Sequence, residues 1–114
     1  MAFSEFELAR IKKHVGGLCA RRVPSEIHDK LRLDYSIKRH DVEVFEVRPK
    51  WDDPSETTHT SVAKMKFVRT ANEWRLFWMR RDLRWHSYEP RASSRDLADL
   101  VDEVDRDPYG CFFG

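Results

Sequence analysis

Residues 62–88 read VAKMKFVRTANEWRLFWMRRDLRWHSY, and this stretch decides the fold. Apolar and polar side chains alternate through it with the period of two that is typical of half-buried β-strands. Two short polar breaks, Ala71-Asn72 and Arg81-Asp82, divide it into strands at 62–69, 74–80 and 83–88. Because strands joined by such short loops pair antiparallel, the stretch predicts two consecutive hairpins.

The segment before this stretch predicts the rest of the sheet. Residues 31–38 and 42–47 have strand character, and the polar run 39–41 turns the chain between them. A polar loop over 50–60 then leads into the third strand. Five short strands with short connections indicate an antiparallel meander.

Helices are predicted at both ends of the chain. Ser4 and Glu7 form a capping box, and the apolar stripe behind them is Leu8, Ile11, Val15 and Leu18. Ser93 and Asp96 suggest a second cap, followed by the stripe Leu97, Leu100, Val101 and Val104. The fold class is therefore α+β: one domain over 1–114, with a five-stranded antiparallel meander sheet flanked by an N-terminal and a C-terminal helix.

If both breaks are two-residue turns, the sheet has two distinct faces. The predicted core face carries Ala63, Met65, Phe67, Trp74, Leu76, Trp78, Leu83 and Trp85. The opposite face mixes cations with aromatic rings and carries Lys64, Lys66, Val68, Arg75, Phe77, Met79, Arg84, His86 and Tyr88. A slip of one residue within a hairpin would exchange the two sets, so this assignment depends on the turns.

Composition excludes several classes of protein. The chain has 114 residues, 21 Lys and Arg against 20 Asp and Glu, and a mean hydropathy of −0.71. We expect neither a membrane span nor a signal peptide, because no apolar run is long enough. Cys19 and Cys111 form no disulfide framework, which favours a cytoplasmic protein. The histidines lack metal-ligand spacing and no glycine-rich phosphate loop is present, so we expect no metal and no cofactor.

Charges are segregated along the chain despite the near-neutral total. The first helix carries a basic stripe of Arg10, Lys13, His14, Gly17 and Arg21 opposite its apolar stripe. Residues 94–107 hold six acids against two bases. Such an acidic helix could pair with the basic surfaces within the chain or in a second subunit.

Three functions are compatible with these patterns. The first is a non-enzymatic interaction module that binds nucleic acid, with Arg10, Lys13, Arg21, Lys64, Lys66, Arg75 and Arg84 on phosphates and Phe77 and Tyr88 stacking on bases. The second is a small hydrolase or nuclease with His86 as the base and Arg84 or Arg48 as an anion clamp. The third is a protein–protein module, either a monomer that binds another protein or a homodimer through the sheet face.

Several blocks together resemble one known family. They are Arg48-Pro49-x-Trp51, Val62-Ala63-Lys64-x-x-Phe67, Trp74-x-Leu76-x-Trp78, Arg81-Asp82-Leu83-Arg84-Trp85-His86-x-Tyr88 and Asp105-x-Asp107-Pro108-x-Gly110-x-Phe112-Phe113-Gly114. The chain resembles the bacterial Domain of Unknown Function 3024 family over nearly its whole length. The resemblance implies a bacterial, stand-alone, cytoplasmic protein and no particular activity. It also marks Arg48, Trp51, Arg84, His86 and Tyr88 as motif positions.

Overall fold

A computed structural model describes residues 2–114. The first helical segment consists of α1 (Glu5–Ile11), a π-helical turn (Lys12–Gly16) and α2 (Gly17–Arg22). The strands are β1 (Arg32–Lys38), β2 (Asp41–Pro49), β3 (Thr57–Val68), β4 (Glu73–Met79), β5 (Trp85–Ser87) and β6 (Ser93–Ser94), and the chain closes with α3 (Leu97–Arg106).

The strands form one antiparallel sheet in the order β1-β2-β3-β4-β5, so the predicted α+β meander is confirmed. The short strand β6, which the sequence did not predict, also pairs with β4. β5 ends at Ser87 opposite Phe77, and β6 resumes at Ser93 opposite Arg75. The two are therefore halves of one edge strand, interrupted by a 3₁₀ turn over Glu89–Arg91.

The first helix begins where the capping box predicts. The Ser4 hydroxyl accepts from the Glu7 amide at 3.1 Å, and the Glu7 carboxylate accepts from the Ser4 amide at 2.8 Å. Ile11, Val15 and Leu18 are buried, as the stripe predicts. The predicted burial of Leu8 is wrong, because this side chain is 41% exposed. Gly16 faces the ring of Tyr35, 3.6 Å from the position of a Cβ, so it brings the helix close to β1.

The apolar core lies between one face of the sheet and the two helical segments. Val42 and Val44 of β2 are fully buried in it, so these two residues occupy the inner face of the first hairpin. The β2–β3 register shifts between Val44 and Phe45, which leaves Val62 as a bulge residue. Beyond the bulge Phe45 lies on the outer face, where its ring stacks on His59 at 4.8 Å.

The β3–β4 turn is longer than predicted. Phe67 pairs with Trp74 and Met65 with Leu76, whereas a two-residue turn would place Phe67 opposite Leu76. The difference is two residues, which preserves the side of the sheet on which each side chain lies. The predicted faces of β3 and β4 are therefore confirmed although the register was wrong.

The β4–β5 turn differs by one residue, and this reverses the faces of β5. Met79 pairs with Trp85 and Trp78 pairs with His86, whereas a two-residue turn would pair Trp78 with Trp85. Leu83, predicted in the core, adopts a left-handed conformation with φ of 61° and is 81% exposed. The prediction for this strand was wrong because Leu83 belongs to the turn.

The C-terminal helix and tail are fixed by two aspartates. The cap is Asp96, which accepts from the Ala98 amide at 3.1 Å, so Ser93 was the wrong cap. Asp107 ends the helix with φ of 43°, and its carboxylate accepts from the amides of Phe112 at 3.0 Å and Phe113 at 2.8 Å. The tail therefore packs against the fold, and Phe112 is buried.

Candidate functional site

The basic stripe of the first helix is largely neutralised by the acidic helix. Arg10 lies 3.5 Å from Asp96, and Arg21 and Arg22 lie 2.9 and 3.4 Å from Asp105. The stripe and the acidic helix therefore face each other within one chain. Lys13 is exposed and forms no salt bridge with the described residues, so it remains an unpaired cation of the stripe, whereas Arg10 and Arg21 are paired.

The outer face of the sheet is mixed in charge, not basic. Lys64 is opposite Glu43 in the β2–β3 register, and Lys66 is opposite Asp41. The Glu43 carboxylate also accepts from the hydroxyl of Ser61 at 2.9 Å. Cross-strand acids next to each lysine lower the positive potential that a phosphate would meet.

Two more arginines among the sequence candidates are paired along their own strands. Arg75 lies 3.4 Å from Glu73, and Arg48 lies 2.9 Å from Glu46. Trp51 is 94% exposed at the loop that joins β2 and β3. Arg48 and Trp51 thus belong to a different part of the sheet from the β4–β5 hairpin.

The β4–β5 hairpin has a turn that the Asp82 carboxylate stabilises. The amide of Leu83 donates to the Arg80 carbonyl at 2.9 Å, and the amide of Arg80 donates to the Arg84 carbonyl at 3.2 Å. One Asp82 carboxylate oxygen accepts from the Arg84 amide at 3.0 Å, and the other lies 2.8 Å from Nε2 of His86. The contact with His86 lowers the pKa of Asp82 below its usual value, so the carboxylate stays ionised.

Aromatic rings lie on both sides of this hairpin and contact cations. The Arg80 guanidinium lies 5.4 Å from the Trp78 ring centroid. On the outer face, the Lys64 ammonium lies 5.0 Å from the Phe77 centroid and 5.3 Å from the Trp85 centroid. All three rings are partly exposed, so they combine cation–π contacts with accessible ring surface.

The cations of the hairpin lack acidic partners. Arg80, Arg81 and Arg84 are exposed and form no salt bridge with the residues that the structure describes. Residues 77–88 contain these three arginines and one acid, Asp82, which gives a formal charge of +2. We refer to Trp78, Arg80, Arg81, Arg84 and Trp85, together with Lys64, as the arginine–tryptophan hairpin.

His86 lies at the base of this hairpin next to a cavity of about 340 Å³. Its contact with Asp82 resembles the base–orienter pair of general-base catalysis. The thiol of Cys111 also lines the cavity, but burial raises its pKa, which disfavours the nucleophilic thiolate. Arg48 lies three strands away on β2, about 14 Å at the usual strand spacing, so it cannot act together with His86.

Tyr88 belongs to the core, so its predicted place on the exposed face was wrong. It is fully buried, and its hydroxyl donates to the Glu103 carboxylate at 2.7 Å. Burial raises the pKa of the Tyr88 hydroxyl well above its usual range. This side chain therefore joins the edge strand to α3 and offers no ring face to a ligand.

The sequence reasoning missed Arg80, Arg81, Trp78 and Trp85 as members of this surface. It placed both tryptophans on the core face, which is confirmed for Trp78 and wrong for Trp85, and it placed Arg80 at the end of the fourth strand and Arg81 in the turn. The sequence contains one signal for this surface, the run Trp78-Met79-Arg80-Arg81. Only one acid, Asp82, lies close to this run in sequence, so its two arginines have few local partners. Only the true turn length shows that Trp85 is on the outer face.

Among residues 2–114, no group of three or more His, Cys, Asp or Glu side chains could hold a metal ion. No helix in this range is long and apolar enough to cross a membrane. The fold and surface define a small α+β protein with an antiparallel sheet covered on one face by helices. The chain belongs to the Domain of unknown function (DUF3024) family, whose model matches residues 3–114. No curated protein and no solved structure has significant similarity to it.

Proposed function

We propose that the protein is a non-enzymatic interaction module that binds single-stranded nucleic acid through the arginine–tryptophan hairpin. One observation carries this proposal: the arginines at 80, 81 and 84 lack carboxylate partners and lie beside two partly exposed tryptophans. Elsewhere many of the arginines are paired with acids. Unpaired cations next to accessible rings are the groups that nucleic-acid-binding surfaces use.

The chemistry of the hairpin suits an unpaired strand better than a duplex. Bases can stack on Trp85 and Phe77 only when they are free of a partner strand. The guanidinium groups can then hold phosphates on either side through paired N–H donors. A duplex offers phosphates but no free base faces, so the tryptophans would contribute little.

The number of cations limits the expected affinity and its dependence on salt. With Lys64 and the three arginines, four phosphates at most are neutralised. Counterion release then predicts a slope of log affinity against log salt of about −3 for a single strand. A slope near zero would mean that the phosphates are not bound.

The test is a fluorescence-anisotropy titration of a labelled single-stranded oligonucleotide at several salt concentrations. We expect Arg81→Ala/Arg84→Ala to weaken binding about tenfold or more and to flatten the salt slope by about 1.4, because each phosphate contact on a single strand contributes about 0.7. The matched control is Arg48→Ala/Arg75→Ala, which removes two arginines that are already paired with glutamates. Equal losses in both variants, or no binding by the unmodified chain at low salt, would refute the proposal.

The contact between His86 and Asp82 keeps hydrolysis as a second candidate. A nuclease would cut the labelled oligonucleotide during long incubation, with activity lost in His86→Ala and retained in His59→Ala. His59 is the control because its ring stacks on Phe45, away from the hairpin. Cleavage with this pattern would show that the protein is a nuclease and not a non-enzymatic binding module. An oligonucleotide that stays intact would exclude the nuclease.

A further inference from the structure

A cavity of about 200 Å³ opens where four parts of the fold meet. They are the end of the first helical segment, the start of β1, the strand β2 and the C-terminal tail. The residues that line it are Arg22, Val23, Leu31, Leu33, Glu46 and Phe113. The four apolar side chains are buried or half-buried, so the wall is apolar except for one cation and one anion.

The two charged residues of this cavity are held by other partners and not by each other. Nη1 of Arg22 lies 3.4 Å from the Asp105 carboxylate, and the guanidinium carbon lies 3.7 Å from the Phe113 ring centroid. Oε2 of Glu46 accepts from Nη2 of Arg48 at 2.9 Å. Among the described residues, Arg22 and Glu46 form no salt bridge with one another although they line the same cavity. Their positions are therefore fixed independently of each other.

Each charged group keeps atoms that a ligand can bind. Nε and Nη2 of Arg22 donate to no residue that the structure describes, and Oε1 of Glu46 accepts no hydrogen bond from those residues. Both side chains are partly screened from solvent, with 31% of Arg22 and 19% of Glu46 exposed. Guanidinium N–H groups bind carboxylates, and a carboxylate oxygen binds an ammonium. Because other residues already hold both groups, a ligand needs to order little of the protein when it binds.

We propose that this cavity binds a free apolar amino acid of the size of valine or leucine. The α-carboxylate of the ligand binds Arg22, and its α-ammonium binds Glu46. Its side chain packs against the apolar residues of the wall. The two charged residues and their partners, Asp105 and Arg48, sum to a formal charge of zero. A zwitterion matches this balance better than a ligand with a net charge.

The volume of the cavity sets the size of the ligand. An apolar protein cavity of about 150 Å³ holds one benzene molecule. By the same measure, a cavity of about 200 Å³ holds roughly eight non-hydrogen atoms. Valine and leucine are of this size, whereas tryptophan is too large.

An NMR titration of the full chain with L-leucine tests the proposal. We expect a dissociation constant of about 1 mM or lower, which is within reach of a ligand of this size. The amide resonances that shift should be those of the residues that line the cavity. No binding up to about 10 mM leucine, or shifts confined to other parts of the chain, would overturn the proposal.

Two analogues of leucine test which groups are recognised. Leucinamide lacks the carboxylate and N-acetyl-leucine lacks the ammonium, so each should bind at least about tenfold more weakly than leucine. Leucinamide also resembles the N-terminal residue of a peptide. If it binds as tightly as leucine, the occupant is a peptide N-terminus and the free amino acid is wrong. Equal binding of N-acetyl-leucine would likewise overturn the role of Glu46.

Two variants test the residues of the cavity. Glu46→Gln removes the partner of the ammonium and should weaken leucine binding about tenfold or more. Glu43→Gln is the matched control, because Glu43 is on the same strand but accepts from the Ser61 hydroxyl on the outer face. Leu31→Phe narrows the cavity without a change of charge and should also weaken binding. Urea titrations check that each variant folds, and equal affinities of Glu46→Gln and Glu43→Gln would contradict the proposal.

This proposal and the nucleic-acid proposal can fail independently. The arginine–tryptophan hairpin lies on β4 and β5 with Lys64 of β3, and none of its residues lines this cavity. Arg81→Ala/Arg84→Ala should therefore bind leucine with unchanged affinity, and Leu31→Phe should bind the oligonucleotide with unchanged affinity. Loss of leucine binding in Arg81→Ala/Arg84→Ala would show that leucine binds at the hairpin and would overturn the assignment to this cavity.

Discussion

The arginines of the first helix and those of the β4–β5 hairpin belong to the same residue type but have different surroundings. Arg21 and Arg22 both reach Asp105 on α3, and Arg10 reaches Asp96. Arg81 and Arg84 point away from the fold and have no carboxylate partner among the described residues. Side chains that are paired contribute to stability, whereas unpaired side chains remain available to a ligand.

The difference comes from the elements that pack against each group. The first helix lies beside α3, and Asp96 and Asp105, at the two ends of α3, pair with its arginines. The hairpin is at the edge of the sheet, and its one acid, Asp82, is engaged by the Arg84 amide and by His86. A net charge of +1 therefore conceals one paired and one unpaired surface.

The largest effect should come from the hydrogen bond that joins the edge strand beside the hairpin to α3. Tyr88→Phe removes the hydroxyl that donates to Glu103, leaving a partly buried carboxylate without this donor. We expect the free energy of unfolding to fall by about 2 kcal/mol in urea titrations. Tyr109→Phe is the control, because Tyr109 is exposed and should leave stability unchanged. Equal stability of both variants would show that the link contributes nothing.

Replacing Trp85 tests how much ring stacking contributes to binding at the β4–β5 hairpin, whose arginines are unpaired. Trp85→Ala removes a stacking surface, and we expect oligonucleotide affinity to fall about tenfold, within the range for loss of one base–aromatic stack. Leu83→Ala is the control in the same hairpin, since Leu83 is 81% exposed but has no ring. Anisotropy titrations of both variants measure the difference. A comparable loss in Leu83→Ala would mean that stacking is not the source of affinity.

Asp105→Ala should convert part of the paired surface into an unpaired one. It removes the carboxylate that pairs with Arg21 and Arg22, and stability should fall by about 1 kcal/mol, because these contacts are only partly buried. Oligonucleotide affinity should rise modestly at low salt, because Arg21 becomes available and the charge of Arg22 is no longer neutralised by a carboxylate. Asp102→Ala is the control, because its partner Arg106 is on the same helix. Unchanged affinity in Asp105→Ala would show that unpaired charge alone is insufficient.

The smallest effect concerns the stability of the fold at acid pH, to which the ion pair of Glu7 on the first helix contributes. The Arg69 guanidinium lowers the pKa of Glu7 from 4.5 to about 2. A carboxylate with a lowered pKa stabilises the fold above its unfolded pKa, and this contribution is lost as the pH falls from 4.5 through about 2. Glu7→Gln should reduce the loss of unfolding free energy across this pH window by about 1 kcal/mol or less. Thermal melts from pH 5 to pH 2 measure it, and identical slopes would contradict it.

Much of the fold was accessible from local patterns. The capping box at Ser4, the stripe of α3 and the alternation in β3 and β4 each depend on neighbours within a few residues. The candidate site was less accessible. Lys64 and Arg84 were identified, but Tyr88 was placed outside and Trp85 inside, because a turn of unknown length set their side of the sheet.

The sequence by itself determined the two helical segments, the five main strands, their order and the segregation of charge, because these follow from periodicity and caps within short windows. The tertiary structure alone decided which charges are paired and which rings are exposed. Pairing depends on residues more than eighty positions apart, as between Arg21 and Asp105. Exposure in β5 depends on a single left-handed residue, Leu83, because one added residue in a turn moves every following side chain to the opposite face.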